Sequence, residues 1–392
     1  MRILIATVTA GAGHLAAAAA LDEAWRAFRP ADTVEKLDLS KFFSPLHRKI
    51  VSDGYVTLVE HAPELWGMMF KKTDDPKLTR RLNRVKQIFP SNSRARFMRY
   101  VKQLDPDAVL CTHYLPLETL GQMRRHETRR RKNLPPTQPA PCDPRPMVVS
   151  IVTDFEAHAL WMEGCVNLYC VAAEATKARL VARGADPESV LATGIPISAR
   201  FSLKHDARAV RCKMGLRDDQ PVLLVLSGGF GMGPVAEILG ALDKVPQAFQ
   251  TVVVTGRNEE LRRELAGQDR KHPTHILGFA SNMHELMAIS DLIISKPGGL
   301  TSSEALALGK PLFILNPIPG QEAANSDFLL ERGAAIKVNR VEDLPYRLDQ
   351  LLGNKKLSQL SRAAKSLGRP DAATEICREV EKRLKEEAAL RT

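Results

Sequence analysis

Short apolar runs, many of them β-branched, alternate with amphipathic helical stretches along most of this chain. This alternation is typical of βαβ units, in which helices join parallel strands. The runs predicted as strands of a first sheet are Arg2 to Val8, Thr33 to Leu39, Asp107 to Cys111 and Met147 to Thr153. Those predicted for a second sheet are Val222 to Ser227, Thr251 to Thr255, Thr274 to Leu277, Asp291 to Ser295 and Pro311 to Leu315. The pattern predicts an α/β fold with two doubly wound parallel sheets.

The length of the chain fits this division. Its 392 residues suffice for two or three domains, since a domain takes about 150 residues. Between the two sets of strands, the stretch from Gly194 to Lys213 has little periodicity. The simplest division is two domains joined near residue 200. We expect ligands to bind between them, because open α/β sheets carry their binding loops at the carboxyl ends of the strands.

The chain is basic, with 56 Lys and Arg residues against 45 Asp and Glu residues and a formal net charge of +11. Such a charge predicts an anionic partner: nucleic acid, acidic lipid or a phosphorylated ligand. Nucleic acid is not favoured, since only 5% of the residues are aromatic and we find no motif in which they interleave with basic residues.

Two basic segments lie in the first half, Lys71 to Lys102 and Arg124 to Lys132. Either can be a solvated helix face. The alternative is contact with an anionic membrane surface, because the stretch Leu65-Trp66-Gly67-Met68-Met69-Phe70 precedes the first segment and can insert at the headgroup level.

The N-terminus lacks a signal-peptide pattern, and no apolar run reaches the roughly 18 residues that span a bilayer. We therefore expect a cytoplasmic protein that can rest on a membrane. The six cysteines have no zinc-type spacing, which predicts reduced structural thiols and no metal site.

A glycine-containing turn, Thr9 to His14, follows the first predicted strand and leads into an Ala-rich helix. It places backbone N–H groups and His14 at a helix N-terminus, which suits an anion or a reacting hydroxyl. Two other interpretations stay open. His14 can simply cap the helix, or Gly11-x-Gly13-x-x-Ala16 can be a dinucleotide fingerprint with Asp38 as the ribose partner.

Three further turns follow predicted strands of the second half: Ser227 to Pro234, Lys296 to Glu304, and Pro319 to Asn325. The glycines of the first let the main chain approach a diphosphate closely, and the loop lacks the Gly-Lys-Ser/Thr ending of an ATPase P-loop. In the second, Glu304 can accept both hydroxyls of a ribose, or merely complement a helix dipole. In the third, Gln321 and Asn325 are four apart and can read sugar hydroxyls, or serve as caps.

Taken together, these motifs resemble the glycosyltransferases of family 28. The motifs of the second half are S-G-G-x-G-M-G-P at 227 to 234, T-G-R-N at 255 to 258, G-F at 278 to 279, D-L-I-I-S-K-P-G-G-L-T-S-S-E-A-L-A-L-G-K-P at 291 to 311 and P-G-Q-E-x-x-N at 319 to 325. Those of the first half are G-A-G-H at 11 to 14, T-D-F-E-A-H-A-L-W at 153 to 161, Y-C-V-A-A-E at 169 to 174 and T-G-I-P-I at 193 to 197. The first-half motifs are similar to the diacylglycerol branch, which holds the monogalactosyldiacylglycerol synthases and the processive diacylglycerol glucosyltransferases. The chain departs from the family pattern at Ala12 and Phe230.

The resemblance implies a GT-B fold with two Rossmann-like domains facing a cleft. Residues 1–200 would bind the acceptor and the membrane, and residues 201–370 would bind the UDP-sugar donor. Residues 371–392 would form a terminal helix that packs back on the first domain.

The resemblance also implies a reaction, in which glucose or galactose passes from UDP-glucose or UDP-galactose to diacylglycerol with inversion and without a metal or other cofactor. His14 would be the catalytic base, assisted by Asp154 and His158. The implied phosphate contacts are Gly229, Gly231, Met232, Gly233 and Ser302, with Arg257 at the diphosphate or the base edge. The implied base and sugar contacts are Phe279 and Met283 for uracil, Glu304 for ribose, and Gln321, Glu322 and Asn325 for the hexose. The other implied donor contacts are Gly13, Ser227, Gly228, Pro297, Gly298, Gly299 and Thr301.

Two alternatives remain from the sequence. One is an enzyme resembling the N-acetylglucosaminyltransferase that completes lipid II, which shares the donor-domain motifs but not the T-D-F-x-x-H-x-x-W stretch. The other is a nicotinamide oxidoreductase built on Gly11, Gly13 and Ala16.

Overall fold

The computed structural model describes residues 1–9, 11–44, 62–75, 91–132, 146–228, 233–352 and 354–390, with residues 91 and 125–132 described by their backbone. The chain divides into two compact units. The first unit comprises Met1–Ala199 and Asp371–Thr392, and the second unit comprises Arg200–Pro370.

Each unit contains a parallel sheet of six strands within the described ranges. The strands of the first unit are β1 (Arg2–Thr7), β2 (Thr33–Asp38), β3 (Ala108–Cys111), β4 (Met147–Ile151), β5 (Leu168–Cys170) and β6 (Val190–Leu191). Those of the second unit are β7 (Val222–Leu226), β8 (Gln250–Val254), β9 (Thr274–Leu277), β10 (Leu292–Ser295), β11 (Leu312–Leu315) and β12 (Ala335–Val338).

Helices connect these strands. The α-helices of the first unit are α1 (Ala12–Phe28), α2 (Pro63–Thr73), α3 (Ser91–Leu104), α4 (Tyr114–Lys132), α5 (Glu174–Ala182) and, from the end of the chain, α14 (Ala372–Ala389). Those of the second unit are α6 (Ala207–Lys213), α7 (Val235–Leu242), α8 (Glu259–Ala266), α9 (Met283–Ile289), α10 (Gly299–Ala307), α11 (Gln321–Glu331), α12 (Leu344–Leu352) and α13 (Lys356–Leu367). Short 3₁₀ helices lie at Leu39–Phe42, Ala159–Trp161, Pro187–Ser189, Ala199–Ser202 and Val341–Asp343.

The strand order of both sheets is that of a doubly wound fold. In the first sheet it is β2-β1-β3-β4-β5-β6, and in the second it is β12-β11-β10-β7-β8-β9. The order reverses between β1 and β3 in the first sheet and between β7 and β10 in the second. Open α/β sheets bind their ligands at such reversals, at the carboxyl ends of the strands. The predicted turns after β1, β7 and β10 lie at these two places.

Both faces of the first sheet are buried, as parallel sheets require. Successive residues of β1 enter different cores: Ile3 and Ile5 pack with α1 and α14, whereas Leu4 and Ala6 pack with α3 and α4. The alternation explains why β1 is apolar at nearly every position, since each side chain meets a helix layer.

The sequence predicted nine of these strands with ends within two residues. It did not predict β5, β6 and β12, which are two to four residues long. Runs of two or three residues, as in β5 and β6, carry too few side chains for a period to be read from the sequence.

Helix α14 packs on α1 and so belongs to the first unit although it follows the second in sequence. Ile376 and Val380 are fully buried in one cluster with Leu21 and Trp25 of α1. The guanidinium of Arg29, just after α1, pairs with Glu381 at 2.5 Å. The terminal helix therefore completes the apolar core on one face of the first sheet.

Truncating Ile376 tests this packing. We expect Ile376→Ala to lower the free energy of unfolding of the first unit by about 2–5 kcal/mol, the usual cost of a large-to-small change in a core. All three tryptophans, Trp25, Trp66 and Trp161, belong to the first unit. Tryptophan fluorescence during denaturation therefore reports on that unit. The exposed Arg378→Ala on the same helix should stay within about 0.5 kcal/mol of the wild type, and an equal loss in both variants would contradict the packing account.

Candidate active site

His14 lies in the first turn of α1, just beyond the carboxyl end of β1. Gly11 precedes the helix with φ 154°, a value that side-chain-bearing residues rarely adopt, so glycine is needed for this turn. The sequence therefore places an imidazole where the strand order reverses.

Three threonines at the carboxyl ends of neighbouring strands hold His14, and we call them the threonine cradle: Thr7, Thr112 and Thr153. All three are at most 3% exposed. The hydroxyls of Thr7 and Thr112 donate to the His14 carbonyl at 3.2 and 3.1 Å. The ring nitrogen Nδ1 of His14 lies 2.8 Å from the Thr112 carbonyl oxygen and 3.1 Å from the Thr153 hydroxyl oxygen. The cradle thus fixes both the backbone and the ring.

This geometry determines the tautomer of His14. A carbonyl oxygen can only accept a hydrogen bond, so Nδ1 carries the hydrogen and Nε2 keeps its lone pair. Burial lowers the pKa of His14 to about 4, and the hydrogen bond to the Thr112 carbonyl opposes that fall only in part. At neutral pH the ring is therefore uncharged, with Nε2 available as a base.

His113 is the aromatic neighbour of this ring, edge-on with the centroids 4.7 Å apart. Its Nδ1 accepts a hydrogen bond from the Leu115 amide at 3.1 Å. Burial lowers the pKa of His113 well below its ordinary value, and the neighbouring His14 adds to the shift. Two neutral imidazoles thus lie side by side, and neither supplies a positive charge to the site.

His158 was predicted to assist His14, and the structure gives both of its nitrogens other partners. Its Nδ1 accepts from the Leu160 amide at 3.1 Å, and its Nε2 donates to the Phe70 carbonyl at 3.0 Å. The ring therefore anchors the end of α2. Asp154 follows Thr153 directly and is partly buried. That either residue assists His14 stays a prediction.

Asp74, one residue beyond α2, forms a clamp that sequence reasoning missed. Its carboxylate accepts from the Ala159 amide at 2.9 Å, from Arg179 at 2.9 Å and from Arg183 at 2.6 Å. Burial alone would raise the pKa of Asp74, but the hydrogen bonds from Arg183 and the Ala159 amide outweigh it and lower that pKa. The clamp fastens α2 to the segment that carries Trp161, whose ring centroid lies 6.5 Å from that of His14.

Helix α2 turns an apolar face outward. Leu65, Met68 and Met69, spaced as neighbours on one helix face, are 50%, 58% and 47% exposed. Phe70 instead packs on His158, with ring centroids 4.4 Å apart. Exposed apolar side chains in this number mark a contact surface. In the described part of the chain, none of the helices is long and apolar enough to cross a membrane.

The second basic run begins with Arg124 in α4, and the guanidinium of Arg124 donates to the Cys165 carbonyl at 2.6 Å. Residues 76–90 lie outside the described ranges, as do the side chains of residues 125–132. Of the basic residues beside the apolar face, Lys71 and Lys72 are exposed at the end of α2.

In the second unit, the turn after β7 begins with Ser227 and Gly228. The Ser227 hydroxyl donates its hydrogen to the Val254 carbonyl at 3.0 Å, so this hydrogen bond holds Ser227 to the end of β8. Gly228 has φ 77°, where glycine is favoured. The predicted contacts Gly229, Gly231 and Met232 lie outside the described residues, and Gly233 precedes α7.

The turn after β10 leads into α10, whose N-terminus at Gly298 has no side-chain cap. Its first backbone N–H groups are therefore left to an anion or to water. Thr301 is partly exposed. Ser302 is fully buried, and its hydroxyl has no hydrogen-bond partner among the residues described. This fits a phosphate-binding turn in which Gly298 and Thr301 are partly exposed, whereas Gly299 is buried.

Glu304 lies one turn further along α10 and is partly buried. Burial raises the pKa of this carboxyl to about 8. Near neutral pH it is largely protonated, and it becomes a carboxylate only at higher pH or when a ligand favours the charged form.

The predicted hexose contacts Glu322 and Asn325 form hydrogen bonds within the second unit. Asn325 is fully buried and donates to the Pro297 carbonyl at 3.0 Å. Glu322 accepts from the Ile318 amide at 2.8 Å. These bonds tie α11 to the turns that flank it, while Gln321 is partly exposed at the first position of α11. The buried Asn325 thus stabilises the turn before α10 through its hydrogen bond to Pro297.

An exposed aromatic ring lies after β9. Phe279 is 70% exposed, and the Arg257 guanidinium lies 5.9 Å from its ring centroid. Asn258 caps α8, which fixes the turn that carries Arg257. Met283, at the first position of α9, is partly exposed. An exposed phenyl face beside a cation suits the stacking of a flat base.

Asp38 does not support the dinucleotide interpretation. Its carboxylate accepts from the Thr9 amide at 3.1 Å, and from the Ser40 amide and hydroxyl at 2.9 and 2.8 Å. A carboxylate that caps two turns in this way has little capacity left for ribose hydroxyls. Across the residues given by the structure, no cluster of His, Cys, Asp and Glu side chains could hold a metal ion.

Two family models match this chain. Residues 14–197 match the model described as monogalactosyldiacylglycerol synthase, and residues 224–382 match the glycosyltransferase family 28 C-terminal domain. Relatives named processive diacylglycerol beta-glucosyltransferase, from Bacillus cereus and Bacillus pumilus, are each 29% identical. The alignments cover 96% of this chain and 92% of the first relative, and 93% of this chain and 91% of the second.

Solved structures share the fold. MurG of Acinetobacter baumannii matches with a TM-score of 0.59 at 18% identity, over 97% of this chain and 99% of that chain. Anabaena HepE in complex with UDP-glucose matches with a TM-score of 0.54 at 13% identity, over 99% of each chain. This likeness confirms the predicted GT-B type, two Rossmann-like domains in one chain. With both family models matched in order, the chain belongs to the family 28 glycosyltransferases of the monogalactosyldiacylglycerol synthase type.

Removing the Asp74 carboxylate tests the clamp. We expect Asp74→Ala to speed hydrogen exchange of the α2 amides by about 10-fold or more, because losing a charged hydrogen-bond partner costs at least about 1.4 kcal/mol. Since the pKa of Asp74 is lowered, the wild-type clamp should hold above about pH 4, the ordinary carboxyl pKa, and weaken only below it. Glu64→Ala, in the first turn of the same helix, is the control. Equal exchange in wild type and Asp74→Ala would contradict the clamp.

Proposed function

We propose that this protein transfers a hexose from a UDP-sugar to diacylglycerol at a membrane surface and inverts the anomeric carbon. The observation that carries the proposal is the alignment with diacylglycerol glucosyltransferases over nearly the whole length of both chains. The neutral His14 supports it from the structure, because its Nε2 has no hydrogen-bond partner among the described residues. Since these full-length relatives are glucosyltransferases, UDP-glucose is the first donor to test.

The reaction is a single displacement. The acceptor hydroxyl oxygen attacks the anomeric carbon while the bond from that carbon to the diphosphate breaks, and UDP leaves. Nε2 of His14 takes the proton of the attacking hydroxyl, so the ring becomes an imidazolium and is later deprotonated by water. An unprotonated imidazole is the form that this step requires.

The second unit binds the donor in this proposal. The diphosphate lies against the turns around Gly228, Gly233 and Gly298, where uncapped backbone N–H groups stabilise the leaving charge without a metal. Phe279 and Arg257 border the uracil, with Met283 beside them. Glu304 holds the ribose, and Gln321 meets the hexose while Glu322 and Asn325 position the turns around it.

The apolar face of α2, Leu65 with Met68 and Met69, is our proposed contact with the membrane that supplies diacylglycerol. Lys71 and Lys72 follow it and favour anionic headgroups. The protein would then be peripheral on the cytoplasmic face of the membrane, held by burial of these side chains and by charge.

The proposal is tested with purified protein and anionic liposomes that carry either diacylglycerol or a polyprenyl-diphosphate acceptor. UDP-glucose, UDP-galactose and UDP-N-acetylglucosamine are supplied in separate reactions. Mass and sugar analysis identifies the lipid product. A hexosyl-diacylglycerol is expected. Transfer of N-acetylglucosamine to a polyprenyl-diphosphate acceptor, with none to diacylglycerol, would instead support the lipid II type of enzyme.

His14→Ala separates catalysis from donor binding. Transfer should fall by about 10²–10⁴-fold, the usual contribution of a general base, while the Kd for UDP measured by calorimetry stays within about twofold, less than 0.5 kcal/mol. His205→Ala, which removes an imidazole of the second unit, should keep wild-type activity. Loss of UDP binding in His14→Ala would make His14 a donor-site residue.

Glu304 predicts a pH dependence of donor binding. Because the free carboxyl has a pKa of about 8 and the charged form accepts both ribose hydroxyls, affinity for UDP-glucose should rise as the pH passes from about 7 to 9. UDP-glucose is the ligand of choice because its diphosphate does not titrate there. Glu304→Gln should bind more weakly and lose this dependence, and the same pH dependence in the variant would contradict the assignment.

A further inference from the structure

We propose that Thr153 is a positioning residue for His14: its buried hydroxyl accepts a hydrogen bond from Nδ1–H and so directs Nε2 to the acceptor hydroxyl. The inference rests on the proposed function, in which His14 is the base. The inference goes beyond that function, because it assigns a positioning role to a residue that does not touch either substrate.

The first step of the argument is the identity of the partners of Nδ1. Among the residues described, they are two oxygens, the Thr112 carbonyl at 2.8 Å and the Thr153 hydroxyl at 3.1 Å. The carbonyl can only accept, so Nδ1 carries the hydrogen and the Thr153 oxygen accepts from it as well. The two oxygens together hold the ring in one plane and in one tautomer.

The second step is what these oxygens do during transfer. When Nε2 takes a proton, the ring becomes an imidazolium, and both Nδ1 acceptors then bind a charged donor. Hydrogen bonds to a charged group are stronger than those to a neutral group. The Thr153 hydroxyl therefore stabilises the protonated ring more than the neutral one. Both acceptors of the Nδ1–H hydrogen bond are neutral oxygens, and neither is a carboxylate. The ring therefore stays uncharged until it takes the proton of the acceptor hydroxyl.

The third step is the fixed position of Thr153. It follows β4, is 3% exposed, and belongs to the same sheet edge as Thr112 and Thr7. Among the described residues, nearby titratable groups include His113, edge-on to His14, Tyr114, stacked on His113, and Asp154, the next residue along the chain. Because these groups can also contribute to a pH dependence, the main test uses rates and binding at one pH.

The test compares Thr153→Val, which has the same shape without the hydroxyl, with Thr153→Ser, which keeps it. For Thr153→Val we expect kcat to fall about 10-fold, the loss of one hydrogen bond to a charged group. KM for both substrates and the Kd for UDP should stay within about twofold of wild type. Thr153→Ser should recover most of kcat. Thr119→Val, which removes another buried hydroxyl that bonds only within α4, controls for general destabilisation.

Two results would overturn the proposal: a Thr153→Val enzyme with wild-type kcat, or a Thr153→Ser enzyme as slow as Thr153→Val. A readout independent of activity is the ¹⁵N NMR shift of the His14 ring, assigned with His14→Gln. The Nδ1–H form should predominate in all three proteins, because the Thr112 carbonyl remains in each of them. The pKa of the His14 ring, followed by the same shifts, should be lower in Thr153→Val than in wild type and Thr153→Ser, because the imidazolium loses one acceptor. If the wild type transfers no sugar with any donor and acceptor, the proposed function fails instead. The titration of the ring then decides alone, and an unchanged His14 pKa in Thr153→Val would contradict the role of Thr153.

Discussion

The parallel pairing of β1 with β3 in one unit, and of β7 with β10 in the other, is the constraint on which both candidate sites depend. At each pairing the strand order reverses, so the turns that follow the two strands lead to opposite faces of the sheet and leave a crevice between them. His14 and Thr112 follow the first pair, and Gly228 and Gly298 follow the second. Within each unit, backbone hydrogen bonds between the strands bring these residues close to one another, although they are far apart in sequence.

Much of the fold was predictable because apolar rhythm and glycine turns are local signals. The sequence indicated nine strands and the turn that carries His14. It could not indicate the threonine cradle, since Thr112 and Thr153 lie 98 and 139 residues from His14 and meet it only through strand order. The sequence could not indicate the role of Asp74 for the same reason. Asp74 stands within a basic run, and its partner Arg179 lies 105 residues away along the chain.

The donor residues illustrate a second limit. Sequence motifs placed Ser227, Glu322 and Asn325 among the ligand contacts, and the structure gives each an internal hydrogen-bond partner. A polar residue that shapes a turn and one that touches a ligand need the same chemistry, so a motif cannot separate them. Burial distinguishes residues that shape a turn from residues that can touch a ligand. Asn325 is fully buried, whereas Phe279 is exposed to solvent.

In the proposed mechanism, a neutral His14 ring with an unprotonated Nε2 removes the proton of the acceptor hydroxyl during a single displacement. The most direct test is the anomeric configuration of the sugar transferred from UDP-glucose, in which glucose is α-linked, read by NMR of the lipid product. A single displacement by an acceptor hydroxyl that His14 deprotonates predicts a β-linked glucosyl lipid. An α-linked product would contradict the account, because retention requires a second displacement or a different attack on the donor.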